Sequence, residues 1–466
     1  MSPIDEPGES AADQRPTATD YVSISDRREG FAYMPGQVLV RANGATRLLE
    51  LTGQAAEFVD SREEGRRDGL GWQRAENVED TIEQVDRLVA EGYDAQPNHV
   101  VFVHGCGSPC PPHPALAHAL VRSGFVANPM GANPMGANPM GANPMGANPM
   151  QNTAIPAPGN TIDRRELSGD GPLPHIIVLD TGVAGTTPAS ASTSGQAIDH
   201  QPVFIANAAG GVSGDLDLPD TEIEFPAGVV VAPADNYLDP AAGHGTFIAG
   251  IIEQLAPGCS IEVRRVISQL GNADEVKVGN AIHTVVDEVE LGDLLQPVIV
   301  SLSFGGRALV QPNYLREAVS RAVNAGIPVI ASAGNDGVCL RQYPAAFPGV
   351  IAVAALGPDG PPPWTNYGDW VDACAPGVDL VSAFFTQFNG AFAPVNGVDP
   401  DHFSGWAKWS GTSFSVPVVV AAVVRELVGG PAANNNEVAL LAAAVERVVR
   451  APHLARLPCL GTVVNI

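Results

Sequence analysis

Apolar and polar positions follow different rhythms along this 466-residue chain, and the changes of rhythm divide it. Up to residue 36 no period of two or 3.6 is sustained, and Pro, Asp, Glu and Ser dominate, the composition of a disordered tail. Gln37-Val38-Leu39-Val40-Arg41 then reads as a short β-branched strand. Asn77 is placed to cap a helix from Val78 to about Glu91, because Ile82, Val85, Leu88 and Val89 recur at helical spacing. His99 to Val103 makes a second strand, so residues 37–104 are predicted to be a small α+β domain with no convergent polar cluster of its own.

Periodicity stops again over 105–173, a Gly/Pro-rich linker. Within it Val-Ala-Asn-Pro-Met is followed by four copies of Gly-Ala-Asn-Pro-Met, covering 126–150. A proline every five residues blocks helix and central strand alike, so the repeat reads as a spacer reaching about 75 Å when extended. Recognition or modification of Asn-Pro-Met is the competing reading. His104, Cys106, Cys110 and His113 offer four metal-ligand types within ten residues, but the spacing is not that of a common zinc loop and a plain loop is expected.

From 174 to 466 buried-strand runs alternate with helical spacing. Ile176 to Val183, Pro297 to Gly306 and Ile327 to Asn335 are near-continuous apolar strands. Tyr314 to Ala325 and Val418 to Val428 have helical spacing, with Pro417 expected in the first turn of the latter. This alternation predicts an α/β fold with a doubly wound, mainly parallel sheet.

Composition narrows the partners. A net charge of −26 with no basic run longer than two excludes clustered Lys/Arg surfaces for nucleic acid or anionic membrane. Six cysteines are too sparse for a disulfide framework, and Met1 to Ala18 lacks the charged start and apolar block of a leader, so reduced thiols and a cytoplasmic location are expected.

The candidate chemistry sits at strand and helix ends. Ser413, in Ser-Gly-Thr-Ser-Phe-Ser-Val-Pro, falls at a predicted helix N-terminus, whose partial positive charge suits a developing oxyanion. Asp180 ends an apolar strand in Val-Leu-Asp-Thr-Gly. That tripeptide also marks aspartic proteases, which need two such loops, and there is no second. His244 lies between glycines in Gly-His-Gly-Thr-Phe-Ile-Ala-Gly, and Asn335, in Ala-Gly-Asn-Asp-Gly, ends a strand in an amide able to donate to an oxyanion.

These four separated motifs, in the order Asp, His, Ser, resemble the subtilisin-like serine proteases, the subtilases, over about Pro174 to Val428. The resemblance implies Ser413 as nucleophile, His244 as general base and then acid, Asp180 as the carboxylate orienting the imidazole, and Asn335 as oxyanion donor. It implies substrate-pairing edges at Ser303-Phe304-Gly305 and Ala333-Gly334, with Gln342 and Arg341 near the primary specificity pocket. It makes 37–104 similar to a pro-region, an intramolecular inhibitor whose separation is expected by self-cleavage between about 131 and 173. No cofactor is expected, and calcium stays undetermined because the family's calcium loops find no match. Phe414 and Ser415 replace the family's usual Met and Ala. Phe384, Phe385, Phe388, Trp406 and Trp409 mark a longer stretch read as a lid or docking surface. A serine endopeptidase acting on peptide or protein is the expected function, and a non-catalytic peptide-binding protein using the same cleft is the alternative.

Overall fold

The computed structural model describes residues 23–25, 31–60, 71–103, 166–189, 195–220, 223–225, 229–232, 238–239, 241–269, 271–308, 311–390, 402–431 and 436–465. The N-terminal tail, the repeats and the His104 to His113 ligand group lie outside them. Residues 166–173, assigned above to the linker, lie against the following unit: Gly171 N–H donates to Val428 O at 3.0 Å.

The N-terminal unit comprises β1 (Phe31–Arg41), α1 (Ala45–Thr52), β2 (Ala56–Phe58), β3 (Trp72–Ala75), α2 (Thr81–Ala90) and β4 (Ala95–Val103). Its strands pair antiparallel in the order β2-β3-β1-β4. Val38, Val40, Leu48, Val85 and Leu88 are fully buried between this sheet and the two helices. The helix begins at Thr81 rather than Val78, because Asn77 and Asp80 have φ of 57° and 49° and form a turn ahead of it. Asn77 is therefore not the cap.

The second unit is built on a nine-stranded sheet: β5 (His175–Asp180), β7 (Val212–Gly214), β9 (Ser260–Arg265), β11 (Val298–Leu302), β13 (Val329–Ser332), β14 (Ile351–Leu356), β15 (Ala373–Pro376), β18 (Arg456–Leu457) and β19 (Gly461–Val463). Its order is β7-β9-β5-β11-β13-β14-β15-β19-β18, parallel throughout except the edge pair β18/β19. Shorter strands are β6 (Val183–Ala184), β8 (Leu216–Asp217), β10 (Asn272–Asp274), β12 (Phe304–Gly305), β16 (Leu380–Ala383) and β17 (Trp406–Trp409). Helices α3 (His244–Leu255) and α6 (Thr412–Val428) cover one face, and α4 (Glu275–Leu291) and α5 (Asn313–Asn324) the other.

The period of two along β5 decides where its last residue points. Ile176 and Val178 pack toward α3 and α6, Ile177 and Leu179 toward α4 and α5, so Asp180 falls on the α3 face. The same parity along β11 sends Ile299 to that face, and with it Ser301 and Ser303. Phe384, Phe385, Phe388 and Trp409 are buried in the core against α3, and Trp406 packs on its rim. The lid or docking reading gives way for Phe384, Phe385, Phe388 and Trp409, whose rings are buried in the core against α3.

Strand β4 joins the two units. The end of β4 pairs antiparallel with β10 at Val100 to Phe102 and with β12 at Phe102 and Val103. Leu39 and Trp72 pack on Val276 and Tyr314 of α4 and α5. Polar groups of β4 meet the N-termini of those helices, where backbone N–H groups lack partners. Gln96 Oε1 accepts from Asn313 N–H at 2.9 Å, and Asn98 Nδ2 donates to Asp274 Oδ1 at 3.2 Å. Glu275 Oε1 accepts from Gln96 Nε2 (2.7 Å) and His99 N–H (3.1 Å) and lies 2.9 Å from His99 Nδ1, all shut off from water.

Removing that acceptor leaves buried donors unmatched, a cost of about 3 kcal/mol. Glu275→Ala is therefore expected to speed hydrogen exchange of the Val100 to Val103 amides by roughly 10²-fold while those of β5 keep their protection. Equal rates in variant and wild type would show that the cluster does not hold the strand.

Candidate active site

Asp180, at the C-terminal end of β5, accepts two hydrogen bonds on one oxygen: Oδ1 from Thr181 N–H at 2.8 Å and from the His244 ring, whose Nδ1 lies 2.8 Å away. The two side chains are 0 % and 2 % exposed, so this contact is made without water. His244 opens α3, and the glycines around it answer to space. Gly243 has φ 79°, and a Cβ there would fall 2.2 Å from the Phe384 ring. A Cβ on Gly245 would stand 2.3 Å from Gly182 O, so only glycine lets α3 approach the end of β5 this closely. Trp409 meets the imidazole edge-on at 5.4 Å between centroids, and Phe414 lies at 5.3 Å. These rings leave the imidazole one orientation.

Ser413 is the second residue of α6, which begins at Thr412, and Pro417 lies inside the helix rather than in its first turn. The proline has no N–H to give the carbonyl four residues back, which is that of Ser413. Ser413 O instead accepts from Ser303 Oγ at 2.8 Å, and Ser413 Oγ donates to Ser303 O at 2.8 Å. Asn335 is anchored through its carbonyl end, Oδ1 accepting from Thr412 N–H (2.9 Å) and Thr412 Oγ1 (2.8 Å). Its donor end passes close to Gly411.

Of the two expected pairing edges, Phe304 and Gly305 already carry a strand, that of β4. Ala333 O accepts from Asn366 Nδ2 at 2.8 Å, and Gly334 N–H donates to Thr412 Oγ1 at 3.2 Å, so this edge is tied into the loops behind it. Gln342 is buried beside Gly334 and bonded to Asp336, whereas Arg341 is turned to an exposed pair with Asp369. The fold thus brings Asp180, His244, Ser413, Asn335 and Ser303 together at one end of the sheet and leaves Arg341 out. Among the described residues no three His, Cys, Asp or Glu side chains cluster to hold a metal, and Cys259, Cys339, Cys374 and Cys459 are unpaired.

A sixth polar residue joins them without a signal in the sequence. Asp217, on β8, is fully buried, and its Oδ2 accepts from Thr181 Oγ1 (2.7 Å) and Gly243 N–H (2.8 Å). Burial pushes its carboxyl up to about 7; the bonds from Thr181 and Gly243 oppose that rise, and the negative Asp180 nearby adds to it. It lies in Gly-Asp-Leu-Asp-Leu-Pro-Asp, an acidic stretch with no signal separating Asp217 from its neighbours.

The profile of the Subtilase family matches residues 174–447, more than half of the chain. Thermitase from Thermoactinomyces vulgaris is 28% identical over 282 residues, 58% of this chain and 81% of its own length. The thermophilic serine proteinase of Bacillus sp. (strain AK1) is 31% identical over 217 residues, 44% of this chain and 47% of that protein, so this chain spans about half of that relative. Among solved structures, a cold adapted subtilisin-like serine proteinase aligns at TM-score 0.42 and 20% identity over 64% of this chain and 90% of that one.

The raised carboxyl of Asp217 has a consequence for stability. Between its ordinary value of 3.8 and about 7 the native chain keeps a proton that the unfolded chain releases, so this group's contribution falls as pH rises through that window and is constant above it. Asp217→Asn removes the effect. Calorimetry should find the melting temperature of the variant, relative to wild type, higher at pH 8 than at pH 5; a pH-independent difference would contradict the assignment.

Proposed function

This chain belongs to the subtilase family, and we propose that it is a serine endopeptidase working through Asp180, His244 and Ser413. The supporting observation is that a peptide strand already lies antiparallel on Phe304 and Gly305, one residue from Ser303, whose carbonyl holds the Ser413 hydroxyl. An extended substrate adds itself to that edge as a further strand and brings its carbonyl carbon to Ser413.

The hydroxyl first leaves Ser303 O and turns to His244, a move prompted when a substrate N–H takes that carbonyl. His244 Nε2 accepts the proton as Ser413 Oγ bonds to the carbonyl carbon, and Asp180 holds the imidazolium through Nδ1. The oxyanion forms at the N-terminus of α6, with the Asn335 amide as donor. His244 then protonates the departing amine, and water, deprotonated by the same ring, releases the acid from the acyl-enzyme. Extended, mainly apolar peptides are the substrate class, Gln342 closing the pocket beside Gly334.

The N-terminal unit is the cleft's first occupant and acts as an intramolecular inhibitor, since β4 takes the edge a substrate needs. β4 ends opposite Phe304, one residue short of Ser303 in the ladder, so a cut soon after Val103 requires no long excursion of the chain. This favours self-cleavage in the first few residues after Val103 over the 131–173 stretch.

A non-catalytic peptide binder is the second reading, and one observation favours it: the Ser413 hydroxyl is bonded to Ser303 and not to His244. Labelling by a fluorophosphonate separates the two, because only an activated serine reacts.

Ser413→Ala and His244→Ala are each expected to lose on the order of 10⁶ in turnover with the fold intact. Hydrolysis retained by Ser413→Ala overturns the mechanism. Asn335→Leu should lose about 10² to 10³ in kcat with KM nearly unchanged, as its amide contributes once the oxyanion forms. Intact-mass analysis tests the processing. A fragment starting just past Val103 in wild type and absent from Ser413→Ala supports it; a start between 131 and 173 moves the cut into the linker. Full-length chains in an active wild type exclude it.

A further inference from the structure

The hydrogen bonds around Asp180 and His244 form a closed circuit, and Asp217 is the member that closes it. Gly243 N–H, just before His244, donates to Asp217 Oδ2; Gly245 N–H, just after it, donates to Thr181 Oγ1 at 3.1 Å. Thr181 Oγ1–H in turn donates to Asp217 Oδ2, while Thr181 N–H donates to the Asp180 oxygen that faces His244 Nδ1. The residue after the carboxylate and the residues on both sides of the histidine are therefore held by one buried side chain and the hydroxyl bonded to it. A buried carboxylate is costly, and one that did no more than satisfy a hydroxyl and an amide would be replaceable by a neutral acceptor.

We infer that Asp217 is a positioning residue for the proton transfer between Ser413 and His244, acting through Thr181 and Gly243 to fix Asp180 against the imidazole. The inference rests on the proposed catalytic roles of those three residues. Besides its two hydrogen-bond partners, Asp217 faces Asp180 at the end of β5 and Arg265 at the end of β9, whose N–H is held by Asp215 Oδ2 at 2.7 Å, and His244 stands just beyond Gly243. Its negative charge favours the imidazolium that forms when Ser413 is deprotonated. The carboxylate thus serves the reaction in two ways, by holding the partners and by its charge.

The test compares Asp217→Ala, Asp217→Asn and Thr181→Val in the full chain. Asp217→Ala removes the acceptor and should lower kcat by about 10- to 100-fold with KM within about 2-fold, the scale of a small misplacement of reacting groups. Asp217→Asn keeps an acceptor oxygen for both donors. It should recover most of kcat, yet the acid limb of its kcat/KM profile should lose one ionisation between pH 6 and 8. Should Asp217→Ala fail to fold, Thr181→Val decides, with an expected loss of about 10-fold in kcat alone. Wild-type turnover in Asp217→Ala or Thr181→Val overturns the inference, and so does Asp217→Asn matching Asp217→Ala with an unchanged pH profile, the mark of a purely structural part. A second readout needs no turnover: the low-field proton resonance of His244 Nδ1 should move in Asp217→Ala and stay in Asp217→Asn, and a resonance unmoved in both overturns the inference. Ser413→Ala run in parallel keeps the two claims apart, because its retained hydrolysis would sink the catalytic roles, whereas an active, Ser413-dependent wild type indifferent to Asp217 sinks only the positioning.

Discussion

A carboxylate with no access to water, held at 2.8 Å from an imidazole, sets the terms for everything around it. Removing an ionised carboxylate from water costs several kcal/mol unless charged or polar partners meet it at close range, and among the described residues Asp180 has only the ring and one amide, both on the same oxygen. The geometry therefore has little slack. It needs β5 to end on the α3 face, which the parity of its apolar residues supplies. It needs α3 to start within contact of the β5 turn, which Gly245 allows at Gly182 O while Gly243 makes room for the Phe384 ring. The ring must not tilt away, and Trp409 and Phe414 prevent that. Core packing and site geometry are here the same contacts.

The second constraint is the open edge at Phe304 and Gly305. An unpaired strand edge will accept any extended segment, its own chain included. The N-terminal unit fills it, and the character of that contact matters. One small apolar group, Leu39 and Trp72 on Val276 and Tyr314, is flanked by polar contacts at two helix N-termini, Gln96 capping Asn313 N–H and Asn98 bonded to the Asp274 side chain. Such an interface is specific in register, since each polar group meets one particular partner, and it depends on polar pairs that water can also satisfy once the strand lifts. A unit docked in this way covers the Phe304 and Gly305 edge without being welded to it.

Much of this was legible in the residues. Apolar runs ending in Asp180 and opening at Ser303 carried the sheet, since buried parallel strands leave no polar alternation to misread, and the four motifs placed the site because their glycines and small residues are dictated by close approach. What the sequence hid lies in long-range contacts. Asp217 looks like any acid in an acidic stretch until the fold sets it against Thr181 and Gly243. The aromatic run from Phe384 to Trp409 invited an exposed reading, because local composition cannot tell which face of a hairpin turns inward. Asn77 has the right residue type for a cap, but its left-handed backbone makes it part of a turn. In each case the local preference was real, and a distant partner decided the outcome.

Pro417 shows the same dependence within the site. At a helix start a proline is ordinary, and inside a helix it costs about 3 kcal/mol or more because a carbonyl loses its donor. Here the orphaned carbonyl belongs to Ser413 and finds the Ser303 hydroxyl, while the Ser413 hydroxyl bonds the Ser303 carbonyl in return. The broken helix bond is converted into a tie between the Ser413 backbone and the strand edge at Ser303 to Gly305. A regular helix would have satisfied Ser413 O internally and left that edge free to shift relative to Ser413. With the tie in place, a strand aligned on Phe304 and Gly305, as β4 is, is aligned on Ser413 as well, so the local loss of helix stability is what couples the register of that edge to the Ser413 hydroxyl.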